Sequence, residues 1–220
     1  MSYSTLVKYQ KTSPNKSVRK DATYNPSGAI TDIAIHHVAG VTTVESLGTL
    51  FANPSRQASS NYGIGNDGRI GCYAEEEFRS WCTGNRGVDY KAITIEVSNC
   101  AGEPDWPVSK AAYDALLDLC TDICRRHNFR LNYTGDKTGN LHMHKWYQAT
   151  GCPGPYLEAR FPDIAAEVNR RLDGVKKKRK FYRVQCGAYE IYDGAVLVRD
   201  DIRKKGYPDA FITEVEVEEG

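Results

Sequence analysis

The chain opens on a polar, turn-rich stretch, residues 1–28, closed by YNPSG, and then changes character at TDIAIHHVAG. That short β-branched run ending in glycine predicts a buried strand. Thr42 and Glu45 stand three apart ahead of Val44, Leu47, Leu50 and Phe51, the spacing of a capping box that opens a short amphipathic helix, and Asn53-Pro54 ends it. NYGIGNDGRIGCYA places Asn66-Asp67-Gly68 between two alternating segments and predicts a hairpin. After a glycine-rich loop from Trp81 to Gly87, KAITIEVSN sets Ile93, Ile95 and Val97 on one face of a central strand. Ser109 caps a predicted helix running to about His127, with Leu116, Leu117, Cys120, Ile123 and Cys124 on its inner face. A second helix is predicted from near Pro162 to just before Gly174.

Strands interleaved with helices of this length predict an α/β fold, a central mixed sheet flanked by helices. GVKKKRK (174–180) then shifts the composition sharply and reads as a solvated basic linker. Beyond it FYRVQCGAY, DGAVLVRDDIRKKG and DAFITEVEVEE read as strand, helix and strand, a small βαβ piece with little core of its own. The expected organisation is therefore a main domain over 1–173, the linker 174–180 and a module over 181–220.

Charge narrows the function. Lys and Arg (29) nearly cancel Asp and Glu (28), so there is no global field to hold nucleic acid or an anionic membrane. No stretch approaches the roughly 20 apolar residues of a membrane span, and MSYSTLVKYQKTSPNKSVRK has no apolar signal-peptide core. The reading is of a protein that neither binds nucleic acid nor inserts into a membrane, made without a standard export signal. Seven cysteines, an odd number without framework spacing, read as reduced thiols.

Five histidines make the search for metal ligands short. His36 and His37 end the first strand and must point to opposite faces, whereas His142 and His144 share a face with Met143 opposite. Cys152 follows in TGCPGPY. A catalytic zinc needs about three such donors and one open position. Spacing suggests a site here without fixing its members, since a strand-end histidine also serves as an ordinary hydrogen-bonding group.

IAIHHVAG, Ser60-Asn61-Tyr62-Gly63-Ile64 ahead of NDG, ITIEVSN and MHKWYQATGCPGPY occur in this order over roughly residues 28 to 172. This ordered set resembles the zinc-dependent type 2 N-acetylmuramoyl-L-alanine amidases, a family that includes phage endolysins, autolysins and animal peptidoglycan recognition proteins. The resemblance implies a Zn2+ ion on His36, His144 and Cys152, and bacterial peptidoglycan as substrate. The bond cut is the amide between N-acetylmuramic acid and L-alanine of the stem peptide. One endolysin branch has a catalytic glutamate in the segment matching ITIE, which corresponds to Glu96. An unpaired carboxylate would be costly within that apolar run, although a Glu facing solvent or paired with Arg or Lys fits the sequence too. Other branches carry a tyrosine and a lysine where this chain has Ser60 and Thr150. Thr150 is a candidate hydrogen-bond donor to the developing oxyanion, and a turn hydroxyl capping backbone before Gly151 fits the sequence too. Trp81 and Asn61 fall where the family lines its substrate groove, and Cys82 where several relatives have histidine.

The C-terminal pattern resembles the first half of a SPOR domain, which implies binding to glycan strands and, with one half missing, a sheet completed either by a homodimer of two chains or by docking on the amidase domain. With no leader, the resemblance further implies an endolysin held in the host cytoplasm until a holin releases it to the wall. The rival readings are a peptidoglycan-binding recognition module without catalysis and a zinc hydrolase acting on another muropeptide bond.

Overall fold

The computed structural model describes residues 3–174 and 187–214. The chain divides into two compact units, 1–175 and 176–220. In the first, strands β1 (Val7–Gln10), β2 (Lys16–Val18) and β3 (Asp32–His37) lead into helix α1 (Val44–Phe51). Then come β4 (Tyr62–Ile64), β5 (Ile70–Cys72), β6 (Phe78–Ser80), the single turn α2 (Arg86–Asp89) and β7 (Ala92–Val97). The long α3 (Lys110–His127), β8 (Leu141–Met143), the short α4 (Gly154–Glu158) and α5 (Phe161–Leu172) complete the unit. In the second unit, the described residues form one helix, α6 (Tyr192–Lys204).

Six strands make one mixed sheet in the order β1-β5-β4-β7-β3-β8, and β2 and β6 form a separate antiparallel pair. β4 and β5 are antiparallel, and β7, β3 and β8 run parallel with β4. Strand parity divides the chemistry of the sheet. Ile33, Ile35, Ile93, Ile95, Val97, Leu141 and Met143 enter the main core with Leu116, Leu119, Cys120 and Ile123 of α3 and Phe161, Ile164 and Val168 of α5. The alternate positions, Ala34, His36, Thr94, Glu96 and His142, lie on the opposite face. The mixed sheet between helices is the predicted fold class, and Cys120 and Cys124 are buried in that core.

Several predicted boundaries are corrected. The stretch before residue 28 carries two strands, β1 and β2. β1 is an edge strand with only alternate residues half-buried, too short and too polar to stand out from the surrounding turns. The cap of α1 is Thr43, whose side chain accepts from the Ser46 amide, and not Thr42, because the helix starts at Val44. Ser109 caps α3 by accepting from Ala112, as the sequence predicts. The C-terminal strands do not form over the described residues 187–189 and 209–214. The remainder of both predicted strands, the linker residues 175–180 and with them the complete βαβ module lie outside the described residues. Among the described residues no helix is long and apolar enough to cross a membrane.

One buried polar cluster fastens α3 to the sheet. Glu76 is 5% exposed. Its carboxylate accepts from Tyr62 Oη at 2.5 Å, from both terminal nitrogens of Arg126 at 2.6 and 2.7 Å, and bonds His127 Nε2 at 2.8 Å. Burial alone would raise this carboxyl, but the hydrogen bonds from Arg126, His127 and Tyr62 outweigh it and hold the group at about 2. A depressed folded-state value means the stabilisation is present above the ordinary carboxylate range and is lost as pH falls through about 2. Glu76→Gln removes the charge that Arg126 and Tyr62 bond, while the exposed Arg126 keeps its ion pair with Asp122, and is expected to lower stability by about 2 kcal/mol in urea denaturation at pH 7. Its deficit should shrink toward acid pH, where wild type loses the same charge.

Candidate metal centre and groove

Parallel pairing sets His36 of β3 directly beside Glu96 of β7, on the face away from α3 and α5. Both side chains therefore emerge near the carboxyl ends of parallel strands, the edge of an open α/β sheet at which ligands are commonly held. β8 ends one residue short of His144, which is the first residue of a 3-10 turn, His144–Trp146, rather than part of the predicted extended segment. This turn carries its imidazole over the end of β3. The His36 and His144 rings are 4.8 Å apart between centroids and tilted by 57°.

Cys152 arrives from the loop after that turn. Its carbonyl accepts from Lys145 N at 3.0 Å, closing the loop on itself. Its Sγ lies 3.5 Å from His36 Nδ1. Gly154 holds a positive φ of 80°, and a Cβ there would meet the His37 ring at 2.8 Å, so only glycine lets the CPG segment approach the strand end. One donor atom from each of His36, His144 and Cys152 falls within 4.8 Å of the others.

These donors fit a zinc ion. Tetrahedral bonds of about 2.0 Å to nitrogen and about 2.3 Å to sulfur put neighbouring ligand atoms roughly 3.5 Å apart, close to the His36–Cys152 separation. Burial, helped by the neighbouring His144 and His37, lowers His36 to about 3, so it is a neutral imidazole. Burial also lowers His144. Burial, reinforced by the charge of Glu96, pushes the Cys152 thiol well up, and a bound cation is what would make it a thiolate. His36 Nε2 is buried with no hydrogen-bond partner.

Glu96 borders this cluster. Cys82 Sγ donates toward its Oε1 at 3.8 Å, and Oε2 is buried without a partner. Burial raises its carboxyl to about 8, opposed by the Cys82 hydrogen bond and the distant charge of Arg56.

Of the three donors, Cys152 lines a groove of about 840 Å³, together with Thr150, His37, Trp106, Lys145 and Gln148, among others. Thr150 Oγ1 accepts from the Cys152 amide at 3.2 Å, a turn-type bond, and its side chain remains exposed in the groove. Trp106 stands edge-on to His37 at 5.6 Å and is held at a φ of 50°, an uncommon conformation for a bulky residue. Gln148 falls inside the MHKWYQATGCPGPY segment without being singled out there, and Trp106 is signalled by neither motif nor periodicity; it lies in an irregular loop whose path depends on Asn99 Nδ2 donating to its carbonyl at 2.6 Å.

Two predicted groove residues lie elsewhere. Asn61 is completely buried, its amide donating to the carbonyls of Ala74 and Phe78 while its carbonyl accepts from Thr94 N, so it braces β4 against β7. Trp81 donates its Nε1 to Ser17 Oγ at 3.0 Å, tying the β2–β6 pair together, and does not line the groove. Ser60 is likewise buried, donating to Tyr62 O and Thr94 O. His142, also buried, bonds Tyr147 Oη through Nδ1 at 2.9 Å. Its Nε2 lies 3.4 Å from Asp32 without hydrogen-bond geometry.

Residues 26–155, more than half of the chain, match the model of the N-acetylmuramoyl-L-alanine amidase family. The chain belongs to this family. The match spans β3, Glu96, His144 and Cys152, so the whole donor cluster lies inside the amidase region. A search of curated proteins returns no match.

Solved structures share the fold. A selenomethionine derivative of AmpD superposes with a TM-score of 0.54 at 17% identity, over 74% of this chain and 97% of AmpD. The Staphylococcus aureus hydrolase AmiA, solved in complex with its ligand, gives 0.54 at 18% identity over 66% of this chain and 74% of AmiA. The catalytic domain of XlyA gives 0.51 at 18% identity over 73% and 97%. At these identities the likeness is one of fold.

Proposed function

We propose that this amidase-family chain hydrolyses the amide between the lactyl group of N-acetylmuramic acid and L-alanine in bacterial peptidoglycan, with zinc held by His36, His144 and Cys152. The observation that carries the reading is the convergence of these three donors beside an unpartnered Glu96 oxygen, with Cys152 reaching the lining of an open groove. When bound, the zinc ion supplies Lewis-acid polarisation of the scissile carbonyl and makes water acidic enough to attack near neutral pH.

The protein's own residues do the rest. Glu96 takes a proton from the attacking water and returns it to the departing alanine nitrogen. A value near 8 without metal, drawn down by a neighbouring cation, suits a group that must be base and then acid near neutrality. Because Thr150 Oγ1 already accepts from the Cys152 amide, its O–H is free to donate outward to the oxygen where negative charge develops. Trp106, rather than Trp81, offers an aromatic wall to a sugar ring or peptide, and Lys145 and Gln148 supply polar contacts along the groove.

The test is product analysis on purified cell walls. Hydrolysis of the muramoyl amide releases one new alanine α-amine per cut, with muramic acid intact and no new reducing end. Walls that bind the protein but release no amine would make it a recognition module. New amines on residues other than alanine would make it a hydrolase of a different muropeptide bond.

A further inference from the structure

The three-donor cluster does not use every metal-binding atom at the sheet edge. His36, Cys82 and Glu96 form another set, with one donor from each lying within 4.8 Å of the others. Cys82 comes from the loop after β6 and reaches Glu96 Oε1 at 3.8 Å. Glu96 Oε2 and His36 Nε2 are both buried with no hydrogen-bond partner, and each such orphan costs free energy that a cation would recover. His36 Nδ1, by contrast, faces Cys152.

We infer that Cys82 and Glu96, together with His36, form a second metal position beside the first, which takes a soft divalent ion such as cadmium, or zinc in excess. One thiol, one carboxylate and one imidazole make a donor set suited to zinc and cadmium and poorly suited to magnesium or calcium, which prefer oxygen ligands throughout. The position shares His36 with the first through the other ring nitrogen, so filling both requires the imidazole to release its ring proton to solvent and bridge as imidazolate; that cost, added to repulsion by the ion already bound, makes it the weaker of the two.

Occupancy has a functional consequence that rests on the amidase reading, whereas the binding itself does not. An ion on the Glu96 carboxylate removes the group that carries the proton. The first equivalent of zinc therefore activates and the second inhibits, and Cys82 sets the concentration at which inhibition begins.

The experiment uses the full chain with Cys100→Ser and Cys186→Ser as background, stripped of metal and titrated with cadmium. Thiolate-to-cadmium charge-transfer absorbance and equilibrium dialysis are followed together. Two equivalents are expected, the second lost in Cys82→Ala and in Glu96→Gln, and the first lost in Cys152→Ser with the second retained. Saturation at one equivalent in the background protein, or two equivalents persisting in both Cys82→Ala and Glu96→Gln, overturns the second position. With zinc and cell walls, Cys82→Ala should be activated by the first equivalent and lose the inhibition by excess. Failure of the background protein to release alanine amine at one equivalent would count against the amidase reading alone, since the cadmium stoichiometry is read separately.

Discussion

Glu96→Gln is expected to lower the rate of alanine-amine release by about 100- to 10,000-fold, the range typical for loss of a positioned general acid–base group, while one zinc per chain remains bound. The pairing of lost rate with retained metal follows from geometry. Glu96 sits next to His36 in register but is not one of the three donors His36, His144 and Cys152; the set it joins shares only His36 with them. The amide of Gln fills the same space and cannot take a proton. Loss of the first zinc equivalent together with activity would instead make Glu96 a ligand of the catalytic position.

The same substitution has a second, opposite signature in the metal-free protein. Burial raises the Glu96 carboxyl to about 8, so the folded state holds a proton that the unfolded state has already released above the ordinary carboxylate value. The sign is that of a raised group: its stabilisation is complete below about 4.5, where both states are protonated, and is lost progressively as pH rises through about 8. Metal-free wild type should thus lose thermal stability between pH 5 and 9 more steeply than metal-free Glu96→Gln. Parallel pH profiles for the two proteins would show that the carboxylate is solvated in the folded chain. A residue retained for function at a cost in stability behaves in this way.

Cys152→Ser is expected to weaken zinc by more than about 100-fold, since even partners one shell out from a metal typically cost 10- to 100-fold, and to abolish hydrolysis at any zinc concentration that leaves wild type active. Serine keeps the small buried shape but offers a neutral hydroxyl in place of a thiolate. The loop should survive the change, because it is held by the Lys145–Cys152 backbone bond and by Thr150 accepting from the Cys152 amide, neither of which involves sulfur. Zinc content by atomic absorption and wall clearing, measured on the same preparations, decide the matter. Full zinc occupancy in Cys152→Ser combined with Cys82→Ala, which removes the second position, would mean that the Cys152 sulfur is not a ligand.

Much of this fold could be read from local pattern. The alternation Ile33-Ala34-Ile35 and Ile93-Thr94-Ile95 specifies two strands buried on both faces. Asn66-Asp67-Gly68 specifies a tight turn, with Gly68 at a φ of 82° that a side chain would resist, and Ser109 opens α3 through its own side chain. Each is a short-range decision in which propensity, capping and periodicity agree. The same parity already separates His36 from His37. The ligand set, however, came from a resemblance to a family and not from spacing.

What local pattern could not decide was which side chains meet. β1 and β2 exist because partners far along the chain, β5 and β6, supply their hydrogen bonds, and nothing in their own polar sequences marks them. Asn61 and Trp81 sit next to motif residues in sequence, yet tertiary hydrogen bonds to Ala74, Phe78 and Ser17 turn them into braces. Trp106 enters the groove only because an irregular loop folds back over His37. By itself the sequence determined β3, β7, the β4–β5 hairpin, α1, α3 and α5, and the identity of the reactive residue types. The register between β3 and β7, fixed by burial of one hydrophobic face, decided that His36 and Glu96 stand side by side, because a one-residue slip would send one of them into the core.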